Sequence, residues 1–287
     1  MSNDRPVALV TGASRGAGRG IARALGSHGC KVYVTGRSDG TGVQPLPGTI
    51  QQTAQEVTEA GGVGVAVRCN HADGGDVADL FARIEGEGGR LDILVNNACA
   101  IQDALNGPGQ FWEKPISLGR MIDVGVKSSY EASWHTAPIM VRQGSGLIAF
   151  TSSPGSVHYC MGPAYGAHKA GLDKLAADMA VDFAGTGVAA VSVWMGALAT
   201  ERLLAMIESD PAKYGYLADA LETPEFTGHV IWALSCDPAL AELSGQTVIG
   251  AEMGVRYGLT DRGGRIPSSA RDTHKVAPRE QYPLVIR

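Results

Sequence analysis

The sequence predicts an α/β fold, a doubly wound parallel sheet of about seven strands in a single domain. Three observations carry that expectation. Seven short apolar runs, rich in β-branched residues, are bounded by Gly, Asn or Ser, as strands buried on both faces require. Helical patterns separate most of them, the signature of βαβ units. The first run leads through a glycine-rich turn into a helical pattern, which builds an anion site.

In chain order, the first strand is expected over 6–12. The turn Thr11-Gly12-Ala13-Ser14-Arg15-Gly16-Ala17-Gly18 follows it, and Ile21-Ala22-Arg23-Ala24-Leu25 marks the first helix. Further strands are expected over 31–36, 64–69, 91–97, 146–152, 188–195 and 246–250, with helical patterns at 77–84 and 170–179 among those between them. Right-handed crossovers put helices on both faces. Three irregular stretches, 38–49, 100–118 and 197–226, fall at the carboxyl ends of strands, where such sheets bind ligands. The domain is expected over 1–261, with 262–287 a polar surface extension used in subunit contacts.

The 287 residues are 44% hydrophobic and 18% charged, with a net charge of −5. That balance offers nothing to nucleic acid or to an anionic membrane. No apolar run approaches the length of a membrane span, and Met1–Pro6 does not read as a signal peptide. Cys30, Cys69, Cys99, Cys160 and Cys236 are odd in number and form no CxxC pair, which predicts free thiols and a cytoplasmic setting. No metal site is expected.

Two constellations carry chemistry. In the turn, Gly12, Gly16 and Gly18 let a pyrophosphate approach the backbone N–H groups of Ser14, Arg15 and Ala17 and the positive end of the helix, and Ser14 can bond a phosphate oxygen. After the second strand, a site for NAD usually has an acidic residue on the ribose 2′-OH. Here the residue is Arg37, a cation suited to a 2′-phosphate with Arg15 as its partner, so NADP(H) is expected over NAD(H). In the second constellation, Tyr165 and Lys169 stand four apart, on one face of a helix. A phenol ordinarily titrates near pH 10, and a neighbouring ammonium is expected to lower that. Ser152 stands thirteen residues before Tyr165.

With Asn96-Asn97-Ala98, these motifs resemble the short-chain dehydrogenase/reductase family over roughly residues 6–255. The resemblance implies hydride transfer to or from a nicotinamide, the cofactor carrying the hard chemistry. It gives Ser152 the substrate oxygen, Tyr165 the proton, and Lys169 a hydrogen bond to the nicotinamide ribose. Asn70, where the family usually has Asp, and His71 would meet the adenine, Asn70 keeping a hydrogen-bonding side chain and His71 acting through its backbone. Asn97, Ala98, Gly196, Leu198 and Thr200 would line the cofactor, Thr200 bonding the carboxamide. A homodimer or homotetramer is implied.

The chain also departs from the family pattern. Gly125 stands forty residues before Tyr165, where the family commonly has an Asn that helps hold a water linking the Lys to solvent. Cys99 replaces a Gly, and Met195 replaces a Pro. With Ser152-Ser153-Pro154-Gly155-Ser156, Leu175-Ala176-Ala177-Asp178 and Tyr257-Gly258-Leu259-Thr260-Asp261, these departures are similar to the dehydrogenase/reductase member one subgroup, in which the Asn is likewise Gly. That implies an active enzyme for carbonyl compounds such as steroids or xenobiotic ketones. Leu198, Leu203, Leu204, Met206, Ile207, Tyr214 and Tyr216 suit a lid or a helix core, and Phe111, Trp112 and Tyr159 an apolar wall. A catalytically silent NADP-binding regulator and an epimerase with tightly held cofactor are the competing readings.

Overall fold

The structure is a computed structural model and describes residues 5–41 and 46–287. Residues 1–4 of the expected domain and 42–45 of the 38–49 stretch lie outside the described residues. The seven expected strands form: β1 (Val7–Val10), β2 (Lys31–Gly36), β3 (Val63–Arg68), β4 (Ile93–Asn96), β5 (Gly146–Ser152), β6 (Val188–Trp194) and β7 (Thr247–Ile249). They make one parallel sheet in the order β3-β2-β1-β4-β5-β6-β7. The winding reverses between β1 and β4, and ligands bind at such a switch point.

Alternation along the strands divides the core in two. Val10, Val34 and Val95 face α1 (Gly16–Ser27), α2 (Ile50–Glu59) and the later helix Pro224–Ser235. Leu9, Leu94 and Phe150 face α3 (Gly74–Gly86), α4 (Ser128–Gln143) and α5 (Pro163–Asp182). Burial of both faces is why the strands read as unbroken apolar runs. After β6 come α6 (Glu201–Ser209), α7 (Pro211–Tyr214) and α8 (Pro224–Ser235).

The helix ends follow local chemistry. Asp73 caps α3 by accepting from the backbone N–H groups of Gly75 and Asp76. Gly144, at φ +69°, ends α4 in the left-handed conformation. Pro163 opens α5 at its first turn, where a missing N–H costs nothing. A π-helical turn, Ile122–Lys127, leads into α4 and contains Gly125.

The extension beyond 261 is less superficial than the sequence suggests. Ala270 packs with Trp194, Ile249 and Ala251, and Ser269 Oγ donates to Glu252 Oε1 at 2.6 Å. Ile266 and the last residues, with Tyr282, Leu284 and Ile286, are exposed apolar chain. Among the described residues no helix is long and apolar enough to cross a membrane.

Candidate active site

The glycine turn is locked to the end of β4. Thr11 Oγ1 accepts from the N–H groups of Asn97 and Ala98 at 2.9 and 3.0 Å, and Asn97 Nδ2 donates to the Thr11 and Gly12 carbonyls at 2.9 and 3.1 Å. A Cβ on Gly18 would lie 2.5 Å from both Asn97 Nδ2 and the Gly12 carbonyl. Gly is therefore needed there for close packing. Gly12 needs it for conformation, with φ at +65°. Ser14 is buried and Ala17 half-buried beside it.

The N-terminus of α1 already holds an anion. Gly16 N–H donates to Glu201 Oε2 at 2.9 Å, and Arg19 bonds Glu201 Oε1 at 3.2 Å. This donor set therefore suits a pyrophosphate oxygen as it suits a carboxylate. Sequence reading missed Glu201; its signal was an acid just after Thr200, the N-cap of α6.

At the end of β2, Arg15 Nη2 donates to Ser38 Oγ at 2.6 Å and to the Gly48 carbonyl at 3.1 Å. Burial lowers the Arg15 pKa, Glu201 opposes the shift, and the charges of Arg202 and Arg37 add to it. Arg37 itself is exposed. Two cations and Ser38, which the sequence did not single out, thus gather where β2 ends. Asp39, the nearby acid, accepts from Thr41 N–H at 3.0 Å and pairs with Arg68 at 3.4 Å.

The His71 imidazole turns inward, which leaves the backbone contact expected for this residue as the one open to it. It is 5% exposed, with Nε2 2.8 Å from Thr35 Oγ1 and Nδ1 3.8 Å from Cys69 Sγ. Burial pushes its pKa down to about 4, so it is a neutral interior group. Asn70 sits at the same strand end, its N–H on Asp76 Oδ2 at 2.7 Å and its Oδ1 accepting from Ala72 N–H at 3.3 Å.

Tyr165, the expected proton donor, lies on the first turn of α5. Its hydroxyl lies 2.8 Å from Ser153 Oγ, not from Ser152. Ser152 has no exposure, and its Oγ donates to the Lys169 carbonyl at 3.2 Å. The reason is the pleat: Ser152 ends β5 with its side chain turned into the interior, and the next residue faces the crevice. Counting thirteen residues back from Tyr165 therefore lands one position too far, since Ser153 stands twelve before it.

Lys169 is 7% exposed, with Nζ donating to the Thr151 carbonyl at 2.9 Å and lying 5.6 Å from the Tyr165 ring centroid. Burial lowers its pKa. For Tyr165, burial raises the pKa and the Ser153 hydrogen bond opposes that rise. The expected lowering by Lys169 is thus not what the chain alone produces, because the ammonium is turned to a carbonyl rather than to the phenol.

An apolar wall surrounds this cluster. Leu105, Leu118 and Met121 are buried against Cys99, Met161 and Tyr165. Met161 has φ +55°, rare for a side-chain-bearing residue and common near functional sites. Sequence reading missed these residues because they lie in irregular segments without period. Phe111, Trp112 and Tyr159 are 61, 69 and 82% exposed, so they belong to the rim rather than the wall.

Past β6 the chain crosses the site. Met195 N–H donates to the Ser152 carbonyl at 3.1 Å, and Gly196 N–H to Glu222 Oε2 at 3.2 Å. Leu198 bridges to Glu222, and Thr200 accepts from Leu203 N–H at 3.3 Å, leaving its O–H to donate. No residue of α6 or α7 is buried, which excludes the helix-core reading of Leu203, Leu204, Met206, Ile207 and Tyr214. An ion pair of Arg202 with Asp103, and Asn106 Nδ2 to Met206 Sδ at 3.7 Å, tie this segment to the loop after β4.

Comparison with known proteins finds relatives over most of the chain. The family model for short chain dehydrogenase matches residues 6–210. The chain is 41% identical to human dehydrogenase/reductase SDR family member 1 over 90% of its own length and 84% of the relative's. It is 30% identical to a 3-oxoacyl-[acyl-carrier-protein] reductase of Synechocystis, over 84% and 93% of the two chains. Among solved structures, a hydroxysteroid dehydrogenase from Escherichia coli superposes with a TM-score of 0.69 at 26% identity, covering 86% of this chain and 95% of that one. A short chain dehydrogenase from Mycobacterium thermoresistibile gives 0.73 at 25%, covering 91% and 93%. A Tyr–Lys pair beside a dinucleotide turn, on a chain this similar over this length, has one conclusion: the chain belongs to the short-chain dehydrogenase/reductase family and is an NAD(P)-dependent oxidoreductase.

Proposed function

We propose that the protein moves a hydride between NADP(H) and the carbonyl or secondary alcohol of an apolar small molecule, with Tyr165 donating or accepting the proton. The observation that carries this reading is the 2.8 Å contact of Tyr165 Oη with Ser153 Oγ, one helical turn from the buried Lys169. The nicotinamide, when bound, supplies or takes the hydride. Ser153 orients the substrate oxygen toward Tyr165, the role the sequence had suggested for Ser152. Lys169, whose Nζ donates to the Thr151 carbonyl, would turn to bond the nicotinamide ribose when the cofactor is bound.

Arg15, Arg37 and Ser38 at the end of β2 support NADP(H) over NAD(H), since three donors there suit a 2′-phosphate. Gly12, Ser14, Gly16, Ala17 and Gly18 would hold the pyrophosphate. Asn70 and the His71 backbone would meet the adenine. Asn97, Ala98, Gly196, Leu198 and Thr200 would line the ribose and carboxamide. The wall of Leu105, Leu118 and Met121 favours a steroid-like or xenobiotic ketone, in line with the hydroxysteroid dehydrogenase it resembles in fold. The complete Ser153, Tyr165 and Lys169 set weighs against a silent regulator. The five free cysteines fit a cytoplasmic setting, and the exposed Tyr130 and Trp134 on α4 suit a homodimer or homotetramer.

The experiment pairs NADPH and NADH titrations with a ketone panel, in the wild type and Tyr165→Phe. Tighter NADPH binding and ketone reduction that falls at least ~100-fold in Tyr165→Phe are expected. Turnover preserved in that variant overturns the reading.

A further inference from the structure

Gly125 and His168 fit each other in a way neither residue alone suggests. Gly125 is buried in the π-helical turn before α4. A Cβ built on it would lie 2.3 Å from His168 Cδ2 and 2.4 Å from His168 Nε2. The space a side chain at 125 would enter is therefore filled by an imidazole from α5. His168 is 1% exposed, and its Nδ1 lies 3.6 Å from Cys99 Sγ, on the strand end that carries Asn97 and Ala98. Cys99 is one of the two other departures from the family pattern. Departures at 99 and 125 thus meet at one ring.

The ring is chemically placed as well as packed. His168 stands three residues after Tyr165 and immediately before Lys169. The Gly125 carbonyl, which could otherwise face this space, accepts from Ser129 Oγ at 2.5 Å. Burial pushes the imidazole pKa down to about 2, and the Lys169 charge acts in the same direction. The ring is therefore neutral at any working pH. Lys169, next on its own helix, is the charge that acts on the ring, and Cys99 from the end of β4 lies against its Nδ1; Cys99 and Asp173 both act on Lys169.

We propose that His168 is a positioning residue for Lys169 and Tyr165, wedged between the Gly125 turn and Cys99 so that it fixes the start of α5 against the π-helical turn. It takes up the space that a side chain at 125 would hold and presents a polar, uncharged ring beside the ammonium. This rests on the proposed function, because it assigns His168 to the proton-handling side of that site.

The test uses steady-state ketone reduction across pH by wild type, Gly125→Asn, His168→Ser, His168→Phe and the double variant Gly125→Asn/His168→Ser, each with a melting curve. Gly125→Asn alone should lose activity, because the new side chain meets the ring. The double variant should recover at least ~10-fold of that loss. His168→Phe keeps the bulk and removes the nitrogens. It should lower kcat by roughly 10- to 100-fold, as misplacement of a reacting group does, shift the pH profile of kcat, and leave the NADPH dissociation constant within about 2-fold. Full activity in Gly125→Asn overturns the steric pairing. An unchanged kcat and pH profile in folded His168→Phe overturns the positioning role and leaves only a space-filling ring. If Tyr165→Phe is inactive in the same assay while His168→Phe is unaffected, this inference fails and the proposed function stands. Turnover by Tyr165→Phe removes the function reading itself.

Discussion

Ser152 and Ser153 are neighbours with opposite surroundings, and the difference decides which one can touch a substrate. Ser152 Oγ is sealed inside, bonded to the Lys169 carbonyl, while Ser153 Oγ meets the Tyr165 hydroxyl. Removing the two hydroxyls should therefore have separable effects. Ser153→Ala should lower kcat by roughly 100- to 1,000-fold, as loss of a donor to a developing oxyanion does, with little change in melting temperature. Ser152→Ala should cost about 1 kcal/mol of stability, the net worth of one buried hydrogen bond, and keep most of the turnover. Kinetics and thermal melts on the two variants read this directly. The opposite ranking would return the role to Ser152 and with it the thirteen-residue spacing.

At the scale of elements, the β1–α1 turn and the end of β4 work as one piece, because Thr11 and Asn97 exchange hydrogen bonds across the switch point. Gly18→Ala would push a Cβ against Asn97 Nδ2 and the Gly12 carbonyl. Such overpacking costs about 1–3 kcal/mol. It should weaken NADPH and NADH alike, since the pyrophosphate end is common to both, and fluorescence titration with each cofactor measures it. A loss confined to NADPH would contradict this placement of the turn. These elements were legible in the sequence because their chemistry is local. A strand run, a glycine turn and an i,i+4 Tyr–Lys pair each lie within a dozen residues. What stayed hidden depends on facing directions and distant segments. Ser153 required the pleat of β5. Glu201 meets Gly16 across 185 residues of chain. Nothing local shows that the His71 ring turns in to Thr35. The meeting of Gly125, Cys99 and His168 needs three elements to be brought together before it exists.

For the whole molecule, two buried titratable groups set opposite limits on stability against pH. Glu222 is 3% exposed and holds the Gly196 N–H beneath the strap over the site. Burial pushes its pKa up to about 7; the Gly196 N–H opposes that, Asp261 adds to it, and Arg265 opposes it again. An acid whose folded pKa is raised keeps its proton when the unfolded chain has released it. Its stabilising contribution is full below the unfolded value near 4.5 and is lost as pH rises to about 7. His71 runs the other way. Burial lowers its pKa from 6.5 to about 4, so its contribution is full above 6.5 and is lost as pH falls through about 4. Each shift corresponds to about 3 kcal/mol at the conversion of ~1.4 kcal/mol per unit. Glu222→Gln removes the alkaline limit and keeps an acceptor for Gly196 N–H. Melting temperatures of this variant should match the wild type near pH 5 and rise above it by pH 8, where the wild type has to bury a carboxylate. The strap that Glu222 supports carries Leu198 and Thr200, so the same variant should flatten the pH dependence of NADPH binding between pH 6 and 8. Parallel melting curves from pH 5 to 8 would mean that Glu222 stays ionised in the folded protein, held by Gly196 N–H and Arg265 despite its burial.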